Sequence, residues 1–133
     1  THPFLYQEWS FAHNGTIYDS DKIPLKKLKP AGTTDSERFF LYIMEHIDPK
    51  NSESSIKKAV EEIKKTFQFS SLTFLLTNGK KIYAYRDCGD PKFDDYYTLY
   101  TAQIDTGQII SSEPLTNIAP QWQAVPNQAF LSI

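Results

Sequence analysis

The chain has 133 residues, 40% hydrophobic, 23% charged and 14% aromatic, with nine Phe and eight Tyr. That suits one soluble domain with a core built largely of rings, and it excludes a disordered chain. A formal charge of -2 excludes a strongly basic nucleic-acid binder, and one cysteine excludes a disulfide framework or a cysteine-rich zinc site. No apolar run reaches the roughly 18 residues of a membrane helix, so neither a membrane nor a nucleic acid is an expected partner. A reducing, cytoplasmic setting is the expectation.

Thr1-His2-Pro3-Phe4 carries no initiator Met and no signal-peptide pattern, and it reads like the interior of a domain. A true N-terminal Thr can be a nucleophile with its own amine as base, but the following His2-Pro3-Phe4 suits an internal segment better. Trp9 to His13 is an apolar, aromatic run that stops at Asn14-Gly15, which predicts a short buried strand entering a turn. Residues 18–33 are polar and hold Pro24, Pro30 and Gly32, so they read as a loop with one helical turn at Leu25 to Leu28.

Thr34 followed by Glu37 has the spacing of a capping box, and Asp35 adds negative charge to the first turn. Phe39, Phe40, Ile43, Met44 and Ile47 recur on one helical face until Asp48-Pro49, predicting a helix over about 35–47. A second helix is predicted over about 54–67 from the stripe Ile56, Ala59, Val60, Ile63 and Phe67. Its charge run, from Lys57 to Lys65, is a solvated face rather than a binding patch.

The period then changes from helical to alternating. Residues 72–77 and 81–86 flank Asn78-Gly79, a strong hairpin signal. Residues 96–103 and 108–112 flank Asp105-Thr106-Gly107, and 122–125 and 129–133 flank Pro126-Asn127, predicting two more hairpins. A strand, two helices and then many strands make an α+β chain, with both helices side by side on one face of antiparallel sheet.

Few residues could carry chemistry. The Asn14 amide and a backbone N–H at Gly15 could donate to an oxygen that becomes negative in acyl transfer, although Asn-Gly is also a common turn. Asp35 could hold a ligand's ammonium or serve only as part of the helix cap. His2-Pro3 could place an imidazole near a site, but His2 also reads as a loop histidine. Cys88 sits in a polar loop, Arg86 to Asp90, with acidic neighbours that disfavour a thiolate and no helix start after it.

Together these segments resemble the class II glutamine amidotransferases, of the N-terminal-nucleophile hydrolase type. Thr1-His2-Pro3 is similar to the family's Asn-(Thr/Ala)-His-Pro segment. Phe11 to Ile17 is similar to its His-Asn-Gly-hydrophobic motif, and Thr34-Asp35-Ser36-Glu37 to its helix-opening motif about twenty residues later. Ser112-Glu113-Pro114-Leu115, with Trp122 and Val125-Pro126, resembles the ending of the compact stand-alone members.

The resemblance implies a four-layer α-β-β-α sandwich of two antiparallel sheets, and cleavage of the glutamine side-chain amide through a thioester. It needs no cofactor and no metal. Asn14 and Gly15 would form the oxyanion hole. Asp35 would bind the substrate's ammonium, and His13 is placed with it among the substrate-binding residues. The family nucleophile, a Cys at the mature N-terminus, and an Arg for the substrate carboxylate both lie upstream of the His-Pro segment in the family.

Residues 1–133 therefore read as the later part of a single domain. Expressed alone, they are expected to be insoluble, oligomeric or poorly folded. The implied partners are glutamine or a larger γ-glutamyl compound, and an ammonia-accepting domain or subunit. A catalytically inactive binding module is the alternative of a different class.

Overall fold

The computed structural model describes residues 1–133. The elements are β1 (Phe4–Tyr6), β2 (Trp9–Asn14), α1 (Asp35–His46), α2 (Ser52–Thr66), β3 (Thr73–Thr77), β4 (Ile82–Tyr85), β5 (Tyr100–Ile104), β6 (Gly107–Ser111), β7 (Gln123–Ala124) and β8 (Phe130–Ser132). They form one antiparallel sheet in the order β1-β2-β3-β4-β8 and a second in the order β6-β5-β7. No helix is long and apolar enough to cross a membrane.

Side-chain alternation gives the larger sheet two different faces. Trp9, Phe11 and His13 of β2 point one way, in register with Leu76 and Phe74 of β3 and then with Tyr83 and Tyr85 of β4. The helices cover this face with Phe39, Phe40, Ile43, Ile56, Val60 and Ile63, all buried. Phe11 is central: its ring stacks on Phe40 at 5.2 Å and meets Phe39 edge-on at 5.7 Å and Phe74 at 5.5 Å. Burying each such ring contributes roughly 2 to 3 kcal/mol. On the opposite face Leu75, Ala84 and Leu131 pack against Leu99, Ile110 and Val125, which brings the smaller sheet over the larger. The result is helices, sheet, sheet. Residues 1–133 contribute no helical layer outside the second sheet.

The two helices match the expected stripes, with α2 starting two residues earlier than expected. Thr34 caps α1 by accepting the Glu37 N–H at 3.3 Å. The return arm of the capping box is displaced, because the Glu37 carboxylate takes the Gly32 N–H instead, at 2.7 Å. The Asn78-Gly79 hairpin and the hairpin around Thr106 are both present.

Four expectations are corrected. The arms around Pro126-Asn127 do not pair: β7 joins β5 in the smaller sheet, and β8 joins β4 in the larger. The turn chemistry there serves a crossing between sheets. Gln128 sits at a left-handed φ of 64°, and the Asn127 side chain takes the Cys88 N–H at 2.7 Å. Residues 96–99 are not strand. The Arg86 guanidinium binds the carbonyls of Asp94, Tyr97 and Val125, using acceptors a ladder would need. The helical turn falls at Ser20–Lys22 rather than at Leu25 to Leu28. The N–H groups of Lys26, Lys27 and Leu28 converge instead on the Glu45 carboxylate. Finally, β1 adds an unexpected edge strand, joined to β2 through Gln7 at a φ of 52°.

One ion pair fastens α2 to the sheet. Asp87, with its side chain 3% exposed, accepts from Lys64 Nζ at 2.8 Å and from the Tyr85 hydroxyl at 2.7 Å. Removing the cation strands a buried carboxylate. Lys64→Met is expected to cost about 3 kcal/mol in a denaturant titration. Lys65→Met, which breaks only the exposed pair with Glu62, is expected to cost under about 0.5 kcal/mol.

Candidate active site

The site residues sit where β2 ends. Alternation turns His13 into the helix-facing core and Asn14 outward, toward the second sheet. The Asn14 side chain is exposed and bonded to no group of the chain. It lies at a cleft of about 200 Å³ between the sheets, lined also by Ala12, Leu75, Thr98, Leu99 and Ser112.

Gly15 follows at a φ of 146°, a conformation few other residues adopt. A Cβ there would stand 2.1 Å from the Ser71 carbonyl oxygen, so the backbone lies directly on Ser71. The Gly15 N–H has no partner within the chain. Two free donors, the Asn14 amide and the Gly15 N–H, are therefore adjacent at the strand end.

Asp35 opens α1 and is half-buried. One carboxylate oxygen accepts the Ile17 N–H at 2.8 Å, two residues beyond Gly15. Its other oxygen is bonded to no group of the chain. The start of α1 is thus tied to the segment that follows β2. His2 lies near enough to feel the Asp35 charge, with its ring edge-on to Phe4 at 4.9 Å. Partial burial lowers the His2 pKa, and the Asp35 charge opposes that.

His13 is buried, and both ring nitrogens are engaged: Nδ1 with Ser36 Oγ and Nε2 with the Ser71 carbonyl oxygen, each at 2.9 Å. Neither nitrogen is left to offer a ligand. Burial holds its pKa below the usual histidine value against the hydrogen bond to Ser71 and the charge of Asp35, with His2 adding to the depression.

Cys88 is buried, with its thiol donating to the Asp90 carbonyl at 3.0 Å. Arg86 is buried and spends its guanidinium on four bonds to the loop and the second sheet. No group of three His, Cys, Asp or Glu side chains is arranged to hold a metal ion. Sequence reasoning passed over Ser36 and Ser71. Ser36 could have been found as the inward-facing residue of the helix-opening motif. Ser71 carries no local signal, being 58 residues from His13.

The family model of class II glutamine amidotransferases matches residues 1–92. The chain belongs to that family. It is 35% identical over 156 aligned residues to a provisionally named glutamine amidotransferase of Haemophilus influenzae, covering 98% of this chain and 53% of that protein. It thus spans about half the length of that relative. The fold is similar to a class II glutamine aminotransferase domain protein of Silicibacter pomeroyi, with a TM-score of 0.76 at 22% identity over 100% of this chain and 66% of that one. A provisionally named glutamine amidotransferase of Pseudomonas aeruginosa gives a TM-score of 0.71 at 19% identity, over 99% of this chain and 61% of that one. Among class II glutamine amidotransferases the chain is therefore placed by sequence, and its architecture agrees.

The buried, neutral His13 has a consequence for stability. The unfolded chain takes up a proton near the ordinary histidine pKa of 6.5, whereas the folded chain resists until lower pH. Stability is therefore full above about pH 7 and falls as pH drops through 6.5 toward the depressed value. His2, shifted the same way, adds a smaller share. Melting temperature measured from pH 8 down to about pH 5 should decline on this limb. His13→Gln should start lower and decline less steeply.

Proposed function

We propose that the chain supplies the oxyanion and ammonium half of a site that hydrolyses the side-chain amide of glutamine to glutamate and ammonia. The observation that carries this reading is the pair of free donors at Asn14 and Gly15, tied through Ile17 to the Asp35 carboxylate. The nucleophile in this reading is a Cys outside residues 1–133, at the mature N-terminus of a full four-layer N-terminal-nucleophile hydrolase domain. Its thiol, deprotonated by its own α-amine, attacks the amide carbon. Charge then develops on the amide oxygen, where the Asn14 amide and the Gly15 N–H stabilise it.

The protonated α-amine returns the proton to the departing nitrogen, which leaves as ammonia. Water then attacks the thioester and releases glutamate. Asp35 holds the substrate's α-ammonium throughout by charge-assisted hydrogen bonding. In the complete protein an acceptor domain or subunit would use the ammonia, and a reducing cytoplasm suits the catalytic thiol.

A γ-glutamyl peptide or conjugate is the second reading. The cleft of about 200 Å³ beside Asn14 offers room for a substituent on the leaving nitrogen.

In the full-length protein, Asn14→Ala should lower kcat by roughly 10² to 10³, because the oxyanion exists only at the tetrahedral stage. Asp35→Asn keeps an acceptor for the Ile17 N–H while removing the charge, so it should mainly raise KM. Cys88→Ser should leave kcat within a few-fold, since its thiol faces the Asp90 carbonyl. Steady-state ammonia release from glutamine, with melting temperatures taken alongside, checks all three. If Asn14→Ala and Asp35→Asn cost only stability, both are turn and cap residues and the chain is a binding module.

A further inference from the structure

The proposed reaction uses His13 for nothing, yet its ring bridges the support of Gly15 and the helix start that carries Asp35. Ser71 O can only accept, so Nε2 carries the proton and donates to it. Nδ1 then keeps its lone pair and accepts the Ser36 hydroxyl. The two partners are not incidental. Ser71 O is the very atom that a side chain at position 15 would strike, so it is the surface on which the Gly15 backbone rests. Ser36 is the residue after Asp35 and is buried in the first turn of α1. The ring itself is fixed by Phe11, stacked at 6.3 Å, and by Phe39, edge-on at 5.5 Å. One flat, clamped side chain therefore touches both the support of the oxyanion donors and the neighbour of the ammonium ligand.

We infer that His13 is a positioning residue: its Nε2-protonated ring holds the Asn14–Gly15 turn and the Asp35 helix start in one fixed relation, and it does not contact substrate. The inference rests on the reaction proposed above. Errors of about 1 Å in such a relation cost on the order of 10²-fold in rate, which gives the bridge its value. The two legs act on different quantities. The Ser36 leg sets where Asp35 stands and so governs substrate binding. The Ser71 leg sets where the Gly15 N–H points and so governs stabilisation of the oxyanion.

Three substitutions in the full-length protein separate the legs. Ser36→Ala removes the helix leg and leaves the ring. His13→Gln places an amide N–H where Nε2 was, keeping the Ser71 leg. His13→Asn places an amide oxygen where Nδ1 was, keeping the Ser36 leg. Ser36→Ala and His13→Gln should raise KM for glutamine roughly tenfold with a smaller change in kcat. His13→Asn should lower kcat roughly tenfold with a smaller change in KM. A purely structural histidine predicts no such split, only lower melting temperatures with both constants kept, and that result overturns the inference.

A second measurement does not need turnover. Amide hydrogen exchange at Ile17, whose N–H is bound by Asp35, should quicken in Ser36→Ala while the amides of β3 and β4 keep their protection. Unchanged exchange at Ile17 overturns the coupling directly. If the unsubstituted protein releases no ammonia from glutamine and no amine from γ-glutamyl amides, the proposed reaction fails. The exchange experiment then still decides whether His13 couples the two segments.

Discussion

The backbone of residues 18–33 has almost no ladder of its own, and α1 satisfies it from the side. The Arg38 guanidinium takes the carbonyls of Ser20 and Ile23 at 2.9 and 2.8 Å. The Glu45 carboxylate gathers the three N–H groups of Lys26, Lys27 and Leu28, and Glu37 takes that of Gly32. Burial works against the Glu45 charge, but the three donors and the nearby His46 still hold its carboxyl below the usual range. The Asp35–Ile17 bond closes the circuit. A polar loop of this length would otherwise be free to wander, and ordering it costs conformational entropy that these charge-assisted bonds offset. Everything placed between Gly15 and Asp35 depends on that clamp.

The aromatic core does a different job. Phe11, Phe39, Phe40 and Phe74 meet in stacked and edge-on contacts that leave little freedom to the strand carrying Asn14. A strand so held delivers its last outward-facing side chain to one place. Rigidity of the core thus becomes precision at the strand end, where the chemistry proposed for this family member needs it.

Both helices were legible because their stripes repeat at the helical period and Thr34 announces the first of them. The Asn78-Gly79 turn was equally plain. The motif at Asn14-Gly15 could be read because its donors are local: one side chain and one backbone group, next to each other. What escaped was non-local. Turn residues at Pro126-Asn127 look the same whether the chain doubles back or crosses to another sheet, and pairing with β4 and β5 decided between these. The run through Tyr96 and Tyr97 has strand-like composition, but the buried Arg86 claims the Tyr97 carbonyl. The bonds that occupy both nitrogens of His13 come from residues 23 and 58 positions away, beyond any local pattern.

The contact of Gly15 with Ser71 also bears on synthesis. The glycine backbone has nothing to lie against until the chain has grown far enough to present Ser71, with both helices already emerged. The geometry at Asn14 is thus assembled by a long-range closure rather than by the local chain. A partly made polypeptide carries the motif but not the arrangement.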